Sequence, residues 1–404
     1  MSPNSQSYTF EKEIAASPSL VYQAFINSTH LRQWLSDIAI MDAKPGGHIC
    51  MVWNSGFYTA GEFVELEPNK KVTFTWFGRG EPAQTKVEVN IFDKGGNTRL
   101  QLKHSGVGTG EEWKNVISEI QSGWPSSLEN LTSLLETGED MRFTRRPMLG
   151  IGLNDFNEEI AQHLGVPVNQ GVRIDNTIEG MGAHAAGLQS NDVIVEIGGN
   201  QIINYSDLTT ALQKHRSGDQ VEVQFYRGSE KKATAMILSG RPIPTIPATI
   251  ADLAEQMRSR YAKIKHDLDG FLDSVSDEEA SFQPAPGEWS IKDVLAHLIH
   301  GERGFQNYMG EVVGERESHY DEFPANQQFR NEATLAVYPT LSELRQELKR
   351  AFLETAELYA HLPENFPAHK SGYWRLAYAG LENPFHYQVH LEQMQAALQA
   401  ARKK

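Results

Sequence analysis

The 404-residue sequence predicts a multidomain chain: an α+β segment whose curved sheet closes on one long helix, then a mostly-β segment, then an all-α four-helix bundle. Three observations predict it. Between His48 and His104, short alternating or β-rich runs follow one another, separated by Gly, Pro and Asn. From Leu149 to Tyr226, small apolar strands alternate with tight glycine turns around one amphipathic helix. After Pro247 only helical spacing remains. The length allows two or three domains of roughly 150 residues each, and the three patterns place them at 1–140, 146–240 and 248–404.

In the first segment Ser17 caps a helix whose first turn holds Pro18, and Leu20, Val21, Ala24 and Phe25 recur at helical spacing. Pro45, Gly46 and Gly47 then force a turn. Strands are expected at His48 to Trp53, Gly61 to Leu66, Val72 to Phe77, Lys86 to Phe92 and Arg99 to His104. Trp113, Val116, Ile117 and Ile120, followed by Trp124, Leu128, Leu131 and Leu135, lay an apolar stripe along a helix long enough to cross that sheet. A curved sheet closed on one helix encloses a cavity, and Trp34, Trp53, Trp76 and His104 either line it or belong to the plain core. No catalytic residue is assigned here. The runs Pro18 to Trp34, Lys44 to Gly47, Gly61 to Pro68, Thr98 to Gly106 and Gly123-Trp124 resemble, as a set, the helix-grip, START-like SRPBCC superfamily. The resemblance is specifically to the branch named for the activator of heat-shock-protein ATPase. That resemblance implies a small hydrophobic ligand in the cavity or a chaperone-related role.

The second segment begins after a basic joint, Arg142 to Pro147. Its order of small strands, glycine turns and one helix from Ser206 to about Arg216 fits a compact, partly open barrel. Leu149 to Ile151, Ala185 to Ile202 and Ser206 to Leu212 resemble a PDZ domain of the HtrA-like type. The resemblance implies that Leu149, Gly150 and Ile151 form the loop whose backbone N–H groups hold a terminal carboxylate. It also implies that Leu208 and Leu212 face the groove in which a protein C-terminus or peptide adds to the sheet edge. For both leucines core packing stays an equal reading. No trypsin-like domain accompanies the module, so proteolysis is not implied.

Arg241 to Pro247 reads as an extended proline linker. Four helices are expected beyond it, at about Ile250 to Ser274, Ser290 to Val313, Leu341 to His361 and Pro384 to Ala401. Ser290 with Asp293 and Thr340 with Glu343 have capping-box spacing, and Asn383-Pro384 supplies a cap and a first-turn proline. The connection from Gly314 to Pro339 reads as a crossover or lid loop, with His319, Tyr320 and Asp321 in it; Tyr373, Trp374 and Arg375 read as loop residues too.

The histidines of this bundle carry the functional reading. His386 and His390 are four apart on the last helix, so both imidazoles lie on one face, the face of Val389, Met394 and Ala397, which must face the bundle interior. Two imidazoles aimed at a core need partners: hydrogen bonds, or a divalent ion completed by a ligand from another helix. On the second helix His297 lies at the edge of the stripe formed by Ile291, Val294, Leu295, Leu298 and Phe305, whereas His300 lies nearly opposite. His297 is therefore the preferred third ligand. Glu302, on the same core-facing side, either fixes an imidazole tautomer from behind or makes a surface salt bridge.

Trp289 to Leu298 and Pro384 to Met394 resemble the helix-two and helix-four signatures of the DinB-like, or YfiT-like, metal-binding bundles. This resemblance implies a divalent metal, zinc or nickel, on His297, His386 and His390. It further implies a metal-dependent transferase of the thiol-cofactor type, or a hydrolase. Three protein ligands leave an open coordination position, as a catalytic metal needs. The other reading is a non-enzymatic binding or scaffold protein, stress or chaperone related, with a structural metal.

Composition bounds the rest. A formal charge of −15 with no basic stripe argues against nucleic acid and anionic membrane surfaces as partners. One cysteine, Cys50, allows no internal disulfide and reads as a small core residue in a reducing compartment. No run of 18 apolar residues and no secretory start are visible, so no membrane span is expected and the expected address is the cytoplasm. Phosphate-loop motifs in a strand-to-helix setting are lacking, which leaves nucleotide chemistry unsupported.

Overall fold

The computed structural model describes residues 5–154, 156–285, 288–318, 327–382 and 384–403; the side chains of 154, 327, 382 and 384–386 lie outside the described set. The chain divides into two compact units, 1–139 with 244–404, and 140–243. The first and last of the three expected segments thus share one unit.

In the first segment β1 (Ser5–Ile14) leads to α1 (Pro18–Ile26) and α2 (Ser28–Trp34). The Ser17 side chain accepts from the Leu20 N–H, the cap expected of a serine before proline. Six strands follow: β2 (Ile38–Met41), β3 (His48–Val52), β4 (Tyr58–Glu67), β5 (Lys71–Gly78), β6 (Thr85–Lys94) and β7 (Asn97–Gly108). With β1 they form a seven-stranded antiparallel sheet in the order β1-β7-β6-β5-β4-β3-β2. Along β6 the alternation buries Val87, Val89 and Ile91 and turns Lys86, Glu88 and Asn90 away. α3 (Lys114–Thr137) lies against this sheet through Val116, Ile120, Trp124, Leu128 and Leu131. Cys50, expected in the core, is instead half-buried on β3.

The second unit opens with the one-turn α4 (Met141–Thr144), followed by β8 (Ile151–Asn154), α5 (Glu158–Leu164), β9 (Val172–Thr177) and the one-turn α6 (Gly182–Ala185). β10 (Val193–Ile197), β11 (Asn200–Gln201), α7 (Tyr205–Leu212), β12 (Gln220–Arg227) and β13 (Glu230–Ile237) complete it. The main path of its sheet runs β13-β12-β10-β9-β8, with β11 on β10. β8 is therefore an edge strand.

The third segment holds α8 (Ile250–Leu272), the short α9 (Asp277–Ala280), α10 (Ile291–Val313), α11 (Gln327–Val337), α12 (Leu341–Ala360), α13 (Lys370–Glu382) and α14 (Pro384–Lys403). Both expected capping boxes form, at Ser290 with Asp293 and at Thr340 with Glu343; Asn383 lies outside the described residues. Two expectations need correction. The 314–339 connection contains α11, while His319, Tyr320 and Asp321 lie outside the described residues. Tyr373, Trp374 and Arg375 are not in a loop but on α13, where both aromatics are buried. Tyr373, Leu376 and Ala377 recur at helical spacing and join the core, so burial of one face holds this helix. A polar seam links the segment to the first one: Lys370 Nζ donates to the Glu136 carbonyl at 2.6 Å, and Ser371 Oγ donates to Gln33 Oε1 at 2.8 Å.

Candidate metal centre

α10 and α14 pack together in the bundle, and each brings a histidine to the same place. The rings of His297 on α10 and His390 on α14 meet edge to face, with centroids 4.9 Å apart and planes at 64°. Trp289, just before α10, also packs on His297, with centroids 5.0 Å apart and planes at 46°. Both histidines are half-buried; Met394 and Ala397 are in the core, but Val389, expected on the same face, is exposed, since it lies one residue round the helix from His390 and off the buried stripe. Nδ1 of His390 is 3.0 Å from Gln393 Oε1. An amide oxygen only accepts, so Nδ1 is the donor in this contact. His386 is on α14, but its side chain lies outside the described set. Among the described residues no three His, Cys, Asp or Glu are gathered as a metal-binding group. His300, placed by periodicity on the far side of α10, turns to α11, where its Nε2 lies 3.2 Å from Thr334 Oγ1.

Glu302, one turn beyond His297, is 3% exposed, which rules out a surface salt bridge. Its carboxylate accepts from Tyr261 at 3.1 Å, from Thr355 at 2.6 Å and from the Tyr387 hydroxyl. Among the described residues it has no hydrogen bond to an imidazole, so direct tautomer control is replaced by another role. Tyr387 stands between His386 and His390, and its bond to Glu302 sets the rotation of α14 relative to α10. Burial raises the Glu302 carboxyl above the ordinary carboxylate range, against the lowering effect of the three hydroxyls. Sequence reading missed this network because hydroxyls on three helices carry no local signature.

In the second unit the Leu149 and Gly150 carbonyls accept from Ala183 and Ile178, each at 2.9 Å. Their own N–H groups have no backbone acceptor among the described residues. Gly150 has φ +77°, and a Cβ there would lie 2.3 Å from the Met181 Cβ, so this loop needs glycine. Ile151 begins the edge strand β8. Leu208 is in the core beside Leu149, while Leu212 packs on its margin half-buried.

In the first segment a cavity of about 420 Å³ opens between α3 and the sheet, lined by Trp53, Trp76 and His104 among others. Trp34 is not among them: it is fully buried, with its indole N–H donated to the Ala24 carbonyl at 3.0 Å. His104 is 1% exposed. Its Nδ1 accepts the Trp124 indole N–H at 3.0 Å, so Nε2 carries the proton toward Thr85 Oγ1 at 2.7 Å. Burial pulls its pKa down to about 4. It is a neutral, closed polar link.

Comparisons with known proteins match each of the three segments separately. Residues 15–136 match the model for "Activator of Hsp90 ATPase homolog 1-like protein", residues 147–238 that for "PDZ domain", and residues 260–394 that for "DinB superfamily". Among curated proteins the chain is similar to the serine protease Do-like HtrA of Lactococcus lactis subsp. cremoris, 29% identical over 38% of this chain and 40% of that one. It is also similar to the zinc metalloprotease RasP of Shouchella clausii, 34% identical over 19% of each. The chain thus spans less than half the length of these relatives. Among solved structures it is similar to an Hsp90 activator from Plasmodium falciparum (25% identity, 32% of this chain, 95% of that one, TM-score 0.29). The Aha1 dimer from Colwellia psychrerythraea is comparable (23% identity, 32% and 96%, TM-score 0.29). No helix among the described residues is long and apolar enough to cross a membrane. In chain order, this protein is built of an Hsp90-ATPase-activator-like segment, a PDZ domain and a DinB-superfamily segment.

Proposed function

We propose that the helical segment binds one divalent metal ion, zinc or nickel, through His297, His386 and His390, and that this centre serves a transferase of the thiol-cofactor type or a hydrolase. The observation that supports it most is the 4.9 Å approach of His297 and His390 from different helices. Two imidazoles bound to one ion at 2.0–2.1 Å in tetrahedral geometry have centroids roughly 5 Å apart. With Nδ1–H donated to Gln393, Nε2 is the nitrogen of His390 that would bind the ion. When bound, such an ion with an open position lowers the pKa of a coordinated water or thiol. The chain's own contribution is orientation: Glu302 holds α14 through Tyr387, and Trp289 covers His297. In the same reading the PDZ domain takes a protein C-terminus at Leu149, Gly150 and Ile151 beside β8, and the protein works in the cytoplasm.

Metal analysis of the purified full chain should find about one ion per chain, and none after His297→Ala, His386→Ala or His390→Ala. If the ion is lost while the bundle's melting temperature holds, the ion is not structural. If the bundle unfolds with the ion, the scaffold reading with a structural metal replaces the enzymatic one. For the PDZ domain, a C-terminal peptide library should bind in the free-acid form and not as amides. Equal binding of amides would remove the carboxylate loop.

A further inference from the structure

The cavity of the first segment is walled by indoles and carries acid without base. Trp53 and Trp76 have centroids 6.2 Å apart and are tilted by 53°; Trp76 and Trp124 are 5.5 Å apart and tilted by 57°. Phe57 stands 5.3 Å from Trp53 at 50°. Rings inclined in this way form the walls of a box rather than a stack. Glu81 and Glu119 are in the lining, which contains no Lys or Arg among the described residues, and His104 is neutral for the reasons above.

Glu81 is the informative residue. Its carboxyl accepts the Trp76 indole N–H on Oε1 at 2.7 Å and a backbone N–H from Gly78, whereas its Oε2 is buried with no hydrogen-bond partner. A buried carboxylate oxygen without a donor is costly unless a ligand supplies the missing positive charge. Burial raises the Glu81 carboxyl against the lowering effect of the Gly78 and Trp76 hydrogen bonds, with a small further rise from Glu119. An anionic ligand such as a fatty acid would meet two carboxylates and no cation. A neutral apolar one would leave Oε2 as it is. A small organic cation satisfies both features at once, since indole faces attract cations and Glu81 neutralises them.

We infer that this cavity is a binding site for a small organic cation, of the alkylammonium or quaternary ammonium class, held by the faces of Trp53, Trp76 and Trp124 and by the Glu81 carboxylate. The site is independent of the bundle's histidines.

Calorimetric titration of the full chain with tetramethylammonium, choline and benzyltrimethylammonium tests it, with 3,3-dimethylbutan-1-ol as the uncharged isostere of choline and dodecanoate as the apolar anion. At least one cation should bind, and choline about tenfold or more tighter than its isostere. Glu81→Gln keeps the shape and an acceptor for the Trp76 N–H; it should weaken choline about tenfold and leave the isostere unchanged. Trp53→Leu should weaken all three cations. His390→Ala should change none of them, which separates this site from the metal reading. The inference is overturned if no cation binds at millimolar concentration or if the isostere binds as tightly as choline. It is equally overturned if dodecanoate alone binds, or if Glu81→Gln binds choline as the native chain does while circular dichroism shows it folded.

Discussion

His104 and His390 both sit among aromatic rings on elements that face a core, yet they are opposite in chemistry. His104 has both nitrogens engaged by the protein, Nδ1 by the Trp124 indole and Nε2 by Thr85, whose own hydroxyl donates to the Trp76 carbonyl at 3.1 Å. His390 has Nδ1 engaged by Gln393 and its ring set against His297 from another helix. A histidine's function is decided by what its second nitrogen meets, not by its burial or its aromatic company. The first is a structural link; the second, donating from Nδ1, is oriented so that in the metal reading Nε2 is the ligand atom.

The largest expected effect lies on the structural side. His104→Ala removes a buried ring and leaves the Trp124 N–H and Thr85 Oγ1 without their partner, so a loss of about 3 kcal/mol is expected. Urea unfolding, with hydrogen exchange read in β5 to β7, measures it. A loss below about 1 kcal/mol would mean the link is not closed as described. The same residue gives a pH signature. Its folded pKa of about 4 is below the unfolded value of about 6.5, so the unfolded chain takes up the proton first as pH falls. Stability is therefore intact above about 6.5 and declines toward about 4, by up to roughly 3 kcal/mol. In His104→Ala that slope should flatten, and an unchanged slope would assign it to other groups.

Glu302 should titrate with the opposite sign. Its raised carboxyl binds a proton in the folded state at pH values where the unfolded chain has already lost it. Its contribution is present below the ordinary glutamate value and is lost as pH rises through the raised one. Glu302→Gln should flatten this trend in the bundle's melting and shift its stability by about 1–2 kcal/mol. If Glu302 positions α14, the variant also weakens metal binding more than it changes melting, a split that a purely structural residue would not produce.

These contrasts also show what was legible in the sequence. The pairing of His297 with the α14 face follows from two local periodicities, the i,i+4 spacing of His386 and His390 and the phase of the α10 stripe. Strand runs such as Lys86 to Phe92 were legible for the same reason, since alternation is local. α13 was not. Its sequence contains Gly372 and Gly380, poor helix formers, but Gly380 is where the Tyr359 hydroxyl approaches so closely that a Cβ would lie 2.2 Å from it. Packing across elements, invisible to periodicity, selects that glycine. Glu81 was illegible likewise: in the sequence it is a turn residue between Gly80 and Pro82, and only the fold brings Trp76 to it.

The smallest expected effect sharpens the comparison most. His390 is half-buried and its hydrogen bond to Gln393 stays within its own helix, so His390→Ala in the presence of a chelator should cost less than about 1 kcal/mol. Adding zinc or nickel to the native chain at about 100 times its Kd should then stabilise the bundle by about 2.7 kcal/mol, and His390→Ala should gain far less. Calorimetric melting with and without the ion reads both numbers from one pair of proteins. A chelator-independent loss of 2 kcal/mol or more would place His390 in the same class as His104, and the metal reading would lose its second ligand.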